Sequence, residues 1–148
     1  MSKQHPVVAV TGSSGAGTTT VKTAFEHIFR RLDVKAAIVE GDSYHRYNRQ
    51  EMRTAVAEAS ARGENISHFG PEANILCELA DLFRQYGKDG TGKRRFYVHN
   101  EEEAAMHGVP SGEFTEWQDL PPETDMLLYE GLHGAMVTEK CDVSQFAD

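Results

Sequence analysis

The sequence predicts a three-layer α/β fold built on a mainly parallel sheet. Three observations carry that expectation. Short β-branched apolar runs alternate with stretches of helical periodicity. The first run opens into a glycine-rich loop followed at once by a helix, and the first two runs with that helix between them make a unit of about the thirty-odd residues expected of βαβ.

Each element has its own justification. Pro6-Val7-Val8-Ala9-Val10-Thr11 is apolar on both faces, as suits a strand buried between two layers. Over residues 18–32, Val21, Ala24, Phe25, Ile28 and Phe29 recur at three- and four-residue spacing along one helix face. Ala36-Ala37-Ile38-Val39 is a second buried strand, closed by Glu40-Gly41-Asp42. Helices are expected over residues 48–62 and 71–86, the latter with Pro71 in its first turn and Gly87 as its stop. Residues 93–99 alternate as an antiparallel or edge strand, with residues 114–117 as the expected neighbour. Asp125-Met126-Leu127-Leu128-Tyr129-Glu130-Gly131 is a third buried strand ending in an acid and a glycine. Neither an internal repeat nor a low-complexity segment interrupts this order, so residues 1–148 are expected to form one unit.

Composition narrows the function. The 148 residues carry 15 Lys and Arg against 23 Asp and Glu, a formal charge of −8, which argues against a whole-surface nucleic-acid binder. The charge is uneven: +3 over residues 1–50, 0 over 51–100 and −11 over 101–148. A small anionic substrate is therefore still admissible in the first two thirds. No apolar run is long enough to span a membrane, and residues 1–6 lack a signal-peptide layout, so a cytoplasmic protein with no membrane partner is expected. Cys77 and Cys141 lie far apart without a C-x-x-C partner and are expected to be reduced thiols rather than a disulfide or a metal site.

The chemistry concentrates at strand ends. Gly12-Ser13-Ser14-Gly15-Ala16-Gly17-Thr18-Thr19 fits the phosphate-loop template G-x-x-x-x-G-K-[ST] except that Thr18 stands where the lysine would be. Glycines let successive backbone N–H groups curl around a phosphate, and the following helix offers its free amides and positive dipole end. Thr19 is placed to give Mg²⁺ a hydroxyl, Thr20 extends the nucleotide-binding run, and Lys22 is the candidate to replace the missing cation. Asp42 and Glu130 each follow a predicted parallel strand, and such strand ends line one edge of an open sheet, where ligands bind. Glu130 is read as the metal-associated acid and Asp42 as the base that takes a proton from the attacking hydroxyl.

Beyond Asp42, His45, Arg49 and Arg53 recur every four residues and would share one face if a helix began near residue 45, where they could grip a phosphorylated acceptor. Lys93-Arg94-Arg95 is expected to be a solvated strand edge. His99 is a lesser candidate for the acceptor pocket, and His133 is read as a loop histidine, with a place bordering the nucleotide as the alternative.

Four blocks together resemble the bacterial-type phosphoribulokinase family: residues 10–18, Glu40-Gly41-Asp42-Ser43-Tyr44-His45-Arg46-Tyr47-Asn48-Arg49, Ser67-His68-Phe69-Gly70-Pro71-Glu72-Ala73-Asn74 and Leu128-Tyr129-Glu130-Gly131-Leu132-His133-Gly134. The resemblance implies a P-loop kinase fold, incomplete at its C-terminus, and ATP- and Mg²⁺-dependent phosphorylation of D-ribulose 5-phosphate at its 1-hydroxyl in the Calvin cycle. It carries the base onto Asp42, the metal acid onto Glu130, and acceptor contacts onto His45, Arg49, Arg53 and His99. It makes Thr18 an ordinary variant of the loop. It also implies NADH as activator, with Arg30 and Arg31 as candidates for that site, and a homo-oligomer at full length. Family members are longer, and their later half supplies Lys and Arg for the transferring phosphoryl group. The alternatives are a nucleotide-binding piece without catalysis and another small-molecule kinase, such as a uridine kinase, which would not need the basic face.

Overall fold

The computed structural model describes residues 4–148, so the reading of residues 1–3 lies outside it. β1 (Val7–Thr11), β5 (Met126–Gly131) and β2 (Ala36–Glu40) form one sheet in the order β1-β5-β2, with both pairings parallel. The register sets Val10 and Glu40 on either side of Glu130, and Thr11 beside Gly131. All three strands therefore end at one edge.

Side chains alternate across these strands. One face presents Val7, Ala37, Val39, Leu127 and Tyr129 to helix α3 (Leu76–Asp89), whose Leu79, Phe83 and Tyr86 complete a fully buried core. The other face lies under helix α1 (Thr18–Arg31). The three layers expected from the sequence are present. Their burial is less even than expected: α1 has no buried residue, only Phe25 and Phe29 of its apolar set are half-buried, and Val21, Ala24 and Ile28 are exposed. In β1 only Val7 is buried. The reason is that the sheet has three strands among the described residues, with β1 at one of its two edges, so α1 has a narrow surface to cover.

Helix α2 (Arg49–Ala61) starts where the sequence indicates, because Asn48 and Glu51 close a reciprocal capping box. The helix expected from residue 71 begins later. Pro71–Ala73 is a separate 3-10 turn, and Asn74 is extended because this segment pairs with the turn after β2: Arg46 N donates to Ala73 O at 2.8 Å and Ile75 N to Tyr44 O at 2.9 Å. Gly87 stays inside α3, and Gly90, at φ 74°, ends it.

The expected edge strand is broken. β3 (Lys93–Arg94) pairs antiparallel with β4 (Gln118–Asp119), and the pairing resumes at the Tyr97–Phe114 bridge, close to the anticipated neighbour. Between them lies a helix that the apolar pattern did not signal, α4 (Glu101–His107), capped by the Asn100 side chain. The cysteine reading is corrected: Cys77, on the first turn of α3, and Cys141 are joined in a disulfide. Their separation of 64 residues hid the pairing, which arises because α3 packs against the 3-10 turn Ser144–Phe146. No helix among the described residues is long and apolar enough to cross a membrane.

Candidate active site

The loop after β1 owes its shape to its glycines. Gly15 and Gly17 have φ of 82° and 85°, where a side chain would be strained, and a Cβ on Gly12 would come within 3.1 Å of Thr18 Cγ2. Gly17 leads into α1 without a side-chain cap, so the first-turn amides of a fourteen-residue helix face the cleft end of the sheet unclaimed by any capping side chain. Thr18 Oγ1 donates to Glu130 Oε1 at 2.5 Å, and Thr19 Oγ1 lies 3.3 Å from the same oxygen. The acid at the end of β5 thus meets the hydroxyls at the start of α1, giving a donor set of oxygens only.

Lys22 does not stand free as a replacement for the loop lysine. Its Nζ donates to Glu40 Oε1 at 2.8 Å. Burial pulls its pKa down, but the hydrogen bond and charge of Glu40 outweigh that and leave it above the ordinary value.

Asp42 sits in a 3-10 turn, Gly41–Tyr44, directly after β2. Its Oδ1 lies 3.3 Å from His45 Nε2 and its Oδ2 2.8 Å from His99 Nε2. Hydrogen bonds from His45 and then His99 hold its carboxyl far below the usual carboxylate range, against the opposing effect of burial. The bond to Asp42 raises His99 to about 9, with Glu103 adding to it. Each ring is held from behind. His45, 5% exposed, places Nδ1 2.8 Å from Asn74 Oδ1, while Asn74 Nδ2 donates to the carbonyls of His68 and Gly70 at 3.1 and 2.7 Å. Because both carbonyls require the amide nitrogen, the oxygen must face His45, and His45 Nδ1 must carry a hydrogen. His99 Nδ1 lies 2.9 Å from Glu103 Oε2.

These groups line one cleft of ≈ 450 Å³. Gly12, Ser13, Ser14, Gly15, Thr18 and Thr19 contribute to it together with Asp42, His45, His99, Glu103 and Glu130. Of the remaining loop residues, Ala16, Gly17 and Thr20 are not in its lining. His133 is in it, a loop histidine as expected but buried, with Nε2 donating to Phe69 O at 2.8 Å. A larger hollow of ≈ 640 Å³ beside Trp117 and Leu120 contains neither the glycine loop nor Asp42.

Four basic residues differ from expectation. His45 precedes α2, which begins at Arg49, so it shares no helix face with Arg49 and Arg53. Arg49 Nη2 instead donates to His99 O at 2.9 Å and Nη1 to Ser111 Oγ at 3.1 Å, both uncharged partners; Arg53 is exposed one turn on, and neither lines the cleft. Arg95 is not a solvated edge residue. It donates to Ser43 O at 2.8 Å and His45 O at 2.7 Å, and its guanidinium stacks over Phe114 and Trp117 at 3.6 and 4.6 Å. It therefore fixes the backbone on both sides of Tyr44, next to Asp42. Arg30 and Arg31 lie in the last turn of α1, away from the cleft lining.

Asn74, Arg95 and Glu103 were the residues missed. Glu103 carried the Asn100-x-x-Glu103 pattern of a capped helix start, and Asn74 closes one of the four blocks that carry the family resemblance.

A parallel sheet whose first strand feeds a glycine loop and a helix, with an acid at the end of the adjacent strand beside that helix's first hydroxyls, defines a P-loop α/β domain. The model of the phosphoribulokinase/uridine kinase family matches residues 7–148, and the chain belongs to that family. It is 58% identical to a phosphoribulokinase of Nitrobacter vulgaris over all of this chain and 51% of that one. It is 54% identical to the chromosomal phosphoribulokinase of Cupriavidus necator, over 99% of this chain and 50% of that one. The solved phosphoribulokinase from Rhodobacter spheroides superposes with a TM-score of 0.88 at 45% identity, covering 99% of this chain and 50% of that one. A D-glycerate 3-kinase from Cryptococcus neoformans, at 13% identity and a TM-score of 0.53 over 89% of this chain and 44% of that one, shares the fold alone. The chain spans about half the length of the curated relatives it matches.

Proposed function

We propose that this chain is the N-terminal part of a P-loop kinase domain that transfers the γ-phosphoryl group of ATP to the 1-hydroxyl of D-ribulose 5-phosphate, giving the ribulose 1,5-bisphosphate used in Calvin cycle carbon fixation. The observation that carries the proposal is the Asp42 carboxylate, held between His45 and His99 in the cleft that also contains the glycine loop. Phosphoryl transfer asks the protein mainly to position groups and balance charge, and this cleft has parts for both. The loop amides and the start of α1 cradle the nucleotide phosphates. Asp42 accepts the proton of the attacking hydroxyl, and the two imidazoles aim its oxygens.

The all-oxygen set of Glu130, Thr18 and Thr19 fits a hard divalent cation, so Glu130 and Thr19 would hold Mg²⁺. When bound, it would neutralise developing phosphate charge. One basic group beside the cleft supports a phosphorylated acceptor: Arg49, on the carbonyl of His99, contacts only uncharged partners among the described residues, so its charge remains available to an anion although it does not line the cleft. A nucleoside acceptor offers no phosphate to meet that charge.

A second reading, nucleotide binding without turnover by residues 1–148, is favoured by Lys22. It is the only Lys or Arg among the described residues lining the cleft, and Glu40 holds it. An ADP-release assay of the complete gene product, with ribulose 5-phosphate and uridine offered separately, tests the main reading. Turnover on ribulose 5-phosphate is expected; preference for uridine contradicts it. The same assay on residues 1–148, beside a thermal-shift titration with Mg-ATP, separates the second reading by binding without turnover.

A further inference from the structure

Glu103 has no part in the chemistry above, yet it lines a cleft that has to admit two anionic substrates. A carboxylate there opposes anion binding by Coulomb repulsion. Its contacts supply a reason for its presence. Oε2 accepts from the His99 backbone N–H at 2.8 Å and from His99 Nδ1 at 2.9 Å, while the opposite ring nitrogen lies 2.8 Å from Asp42 Oδ2. Ionised carboxylates only accept, so both ring nitrogens carry hydrogen and His99 is an imidazolium strung between two acids. The carbonyl of His99 is fixed as well, by Arg49 Nη2 at 2.9 Å and Ser111 Oγ at 3.0 Å. Glu103 is itself placed by Asn100 Oδ1, which accepts from the Glu103 backbone N at 2.9 Å to cap α4.

We infer that Glu103 is a positioning residue for the phosphoryl transfer: it fixes the orientation and the doubly protonated form of His99 and, through His99, aims the Asp42 carboxylate at the acceptor hydroxyl. The inference rests on Asp42 being the base proposed above. The groups facing His99 come from four places: Asp42 from the turn after β2, Glu103 from α4, the Tyr97 ring at 5.0 Å from the preceding segment, and the Arg49 guanidinium on its carbonyl from α2. His45 faces the other oxygen of Asp42. Two carboxylates bond the ring directly, whereas Arg49 reaches only its carbonyl.

The test joins an NMR titration of the His99 ring nitrogens in the complete protein, without substrates, to steady-state kinetics of Glu103→Gln. Glutamine keeps the size and an oxygen for the His99 N–H, and the side chain is 35% exposed, so the fold is retained. The unsubstituted protein should titrate His99 near 9, and Glu103→Gln should lower that midpoint by about one pH unit. The variant should lose about tenfold in kcat at neutral pH with no rise in the acceptor KM, and its alkaline limb should move down with His99. An unchanged His99 midpoint overturns the inference, as does a raised KM with kcat retained, which would make Glu103 a binding group. Because the titration uses no acceptor, failure of the kinase reading shows in the turnover alone and is distinguishable from failure of the Glu103 assignment.

Discussion

Asn74→Ala removes a side chain that is 1% exposed and makes three hydrogen bonds: to His45 Nδ1, to His68 O and to Gly70 O. The His45 bond is buried. Each buried polar group left without a partner costs about 1–3 kcal/mol. The two carbonyls belong to a partly exposed loop, and water entering the space left by the amide recovers part of their loss. The expected destabilisation is therefore about 2–4 kcal/mol, read as a lower urea midpoint at unchanged slope. Trp117, the only tryptophan, reports the transition by fluorescence. Asn74→Asp distinguishes this account from simple loss of packing. It keeps the acceptor for His45 Nδ1 but sets a carboxylate oxygen against two carbonyl oxygens, so it should be less stable than the unsubstituted protein at neutral pH and recover as the pH falls. A loss below about 1 kcal/mol for Asn74→Ala, or Asn74→Asp as stable as the unsubstituted protein at neutral pH, would refute the assignment of the amide network.

Other consequences can be measured singly. His99 is raised above its ordinary value, so its contribution to stability is complete below about 6.5 and fades as the pH climbs through about 9. The side chain is 39% exposed, which keeps the effect to about 1 kcal/mol or less, and His99→Gln should flatten the fall in urea midpoint between neutral and alkaline pH. Thiol titration of the unreduced, denatured protein should find neither Cys77 nor Cys141 free, and Cys141→Ser should lower stability by about 2–4 kcal/mol. Glu130→Gln should raise the Mg²⁺ concentration needed for half-maximal turnover while the melting temperature in the absence of metal changes little.

What the sequence made legible, and what it hid, follows the range of the interactions. The three parallel strands were readable because buried strands need continuous apolar runs, and Val7 to Thr11, Ala36 to Glu40 and Met126 to Gly131 are such runs. Once they are parallel, their register brings the glycine loop, Asp42 and Glu130 to one edge, so the centre of the site follows from chain order alone. Its supports do not. Asn74 reads as part of a helix begun by Pro71, and only its pairing with the segment of His45 pulls it into extended backbone. Arg95 looks like one of three solvated cations until Phe114 and Trp117, about twenty residues on, supply the surface it stacks against. Helix α4, with Glu101, Glu102 and Glu103 in its first turn, has no apolar stripe to announce it. The disulfide depends on α3 meeting residues near the end of the chain, which spacing does not encode.

Asp42, held between His45 and His99, is the group we propose takes the proton from the acceptor hydroxyl. The most direct measurement compares ADP and ribulose 1,5-bisphosphate formation by the complete gene product and by its Asp42→Asn variant, with nucleotide affinity measured alongside. Equal amounts of the two products are expected from the unsubstituted protein. The variant should lose kcat by about 10³-fold or more, with nucleotide affinity essentially unchanged. A variant that keeps its rate within about tenfold would contradict that role for Asp42, because an asparagine cannot accept that proton.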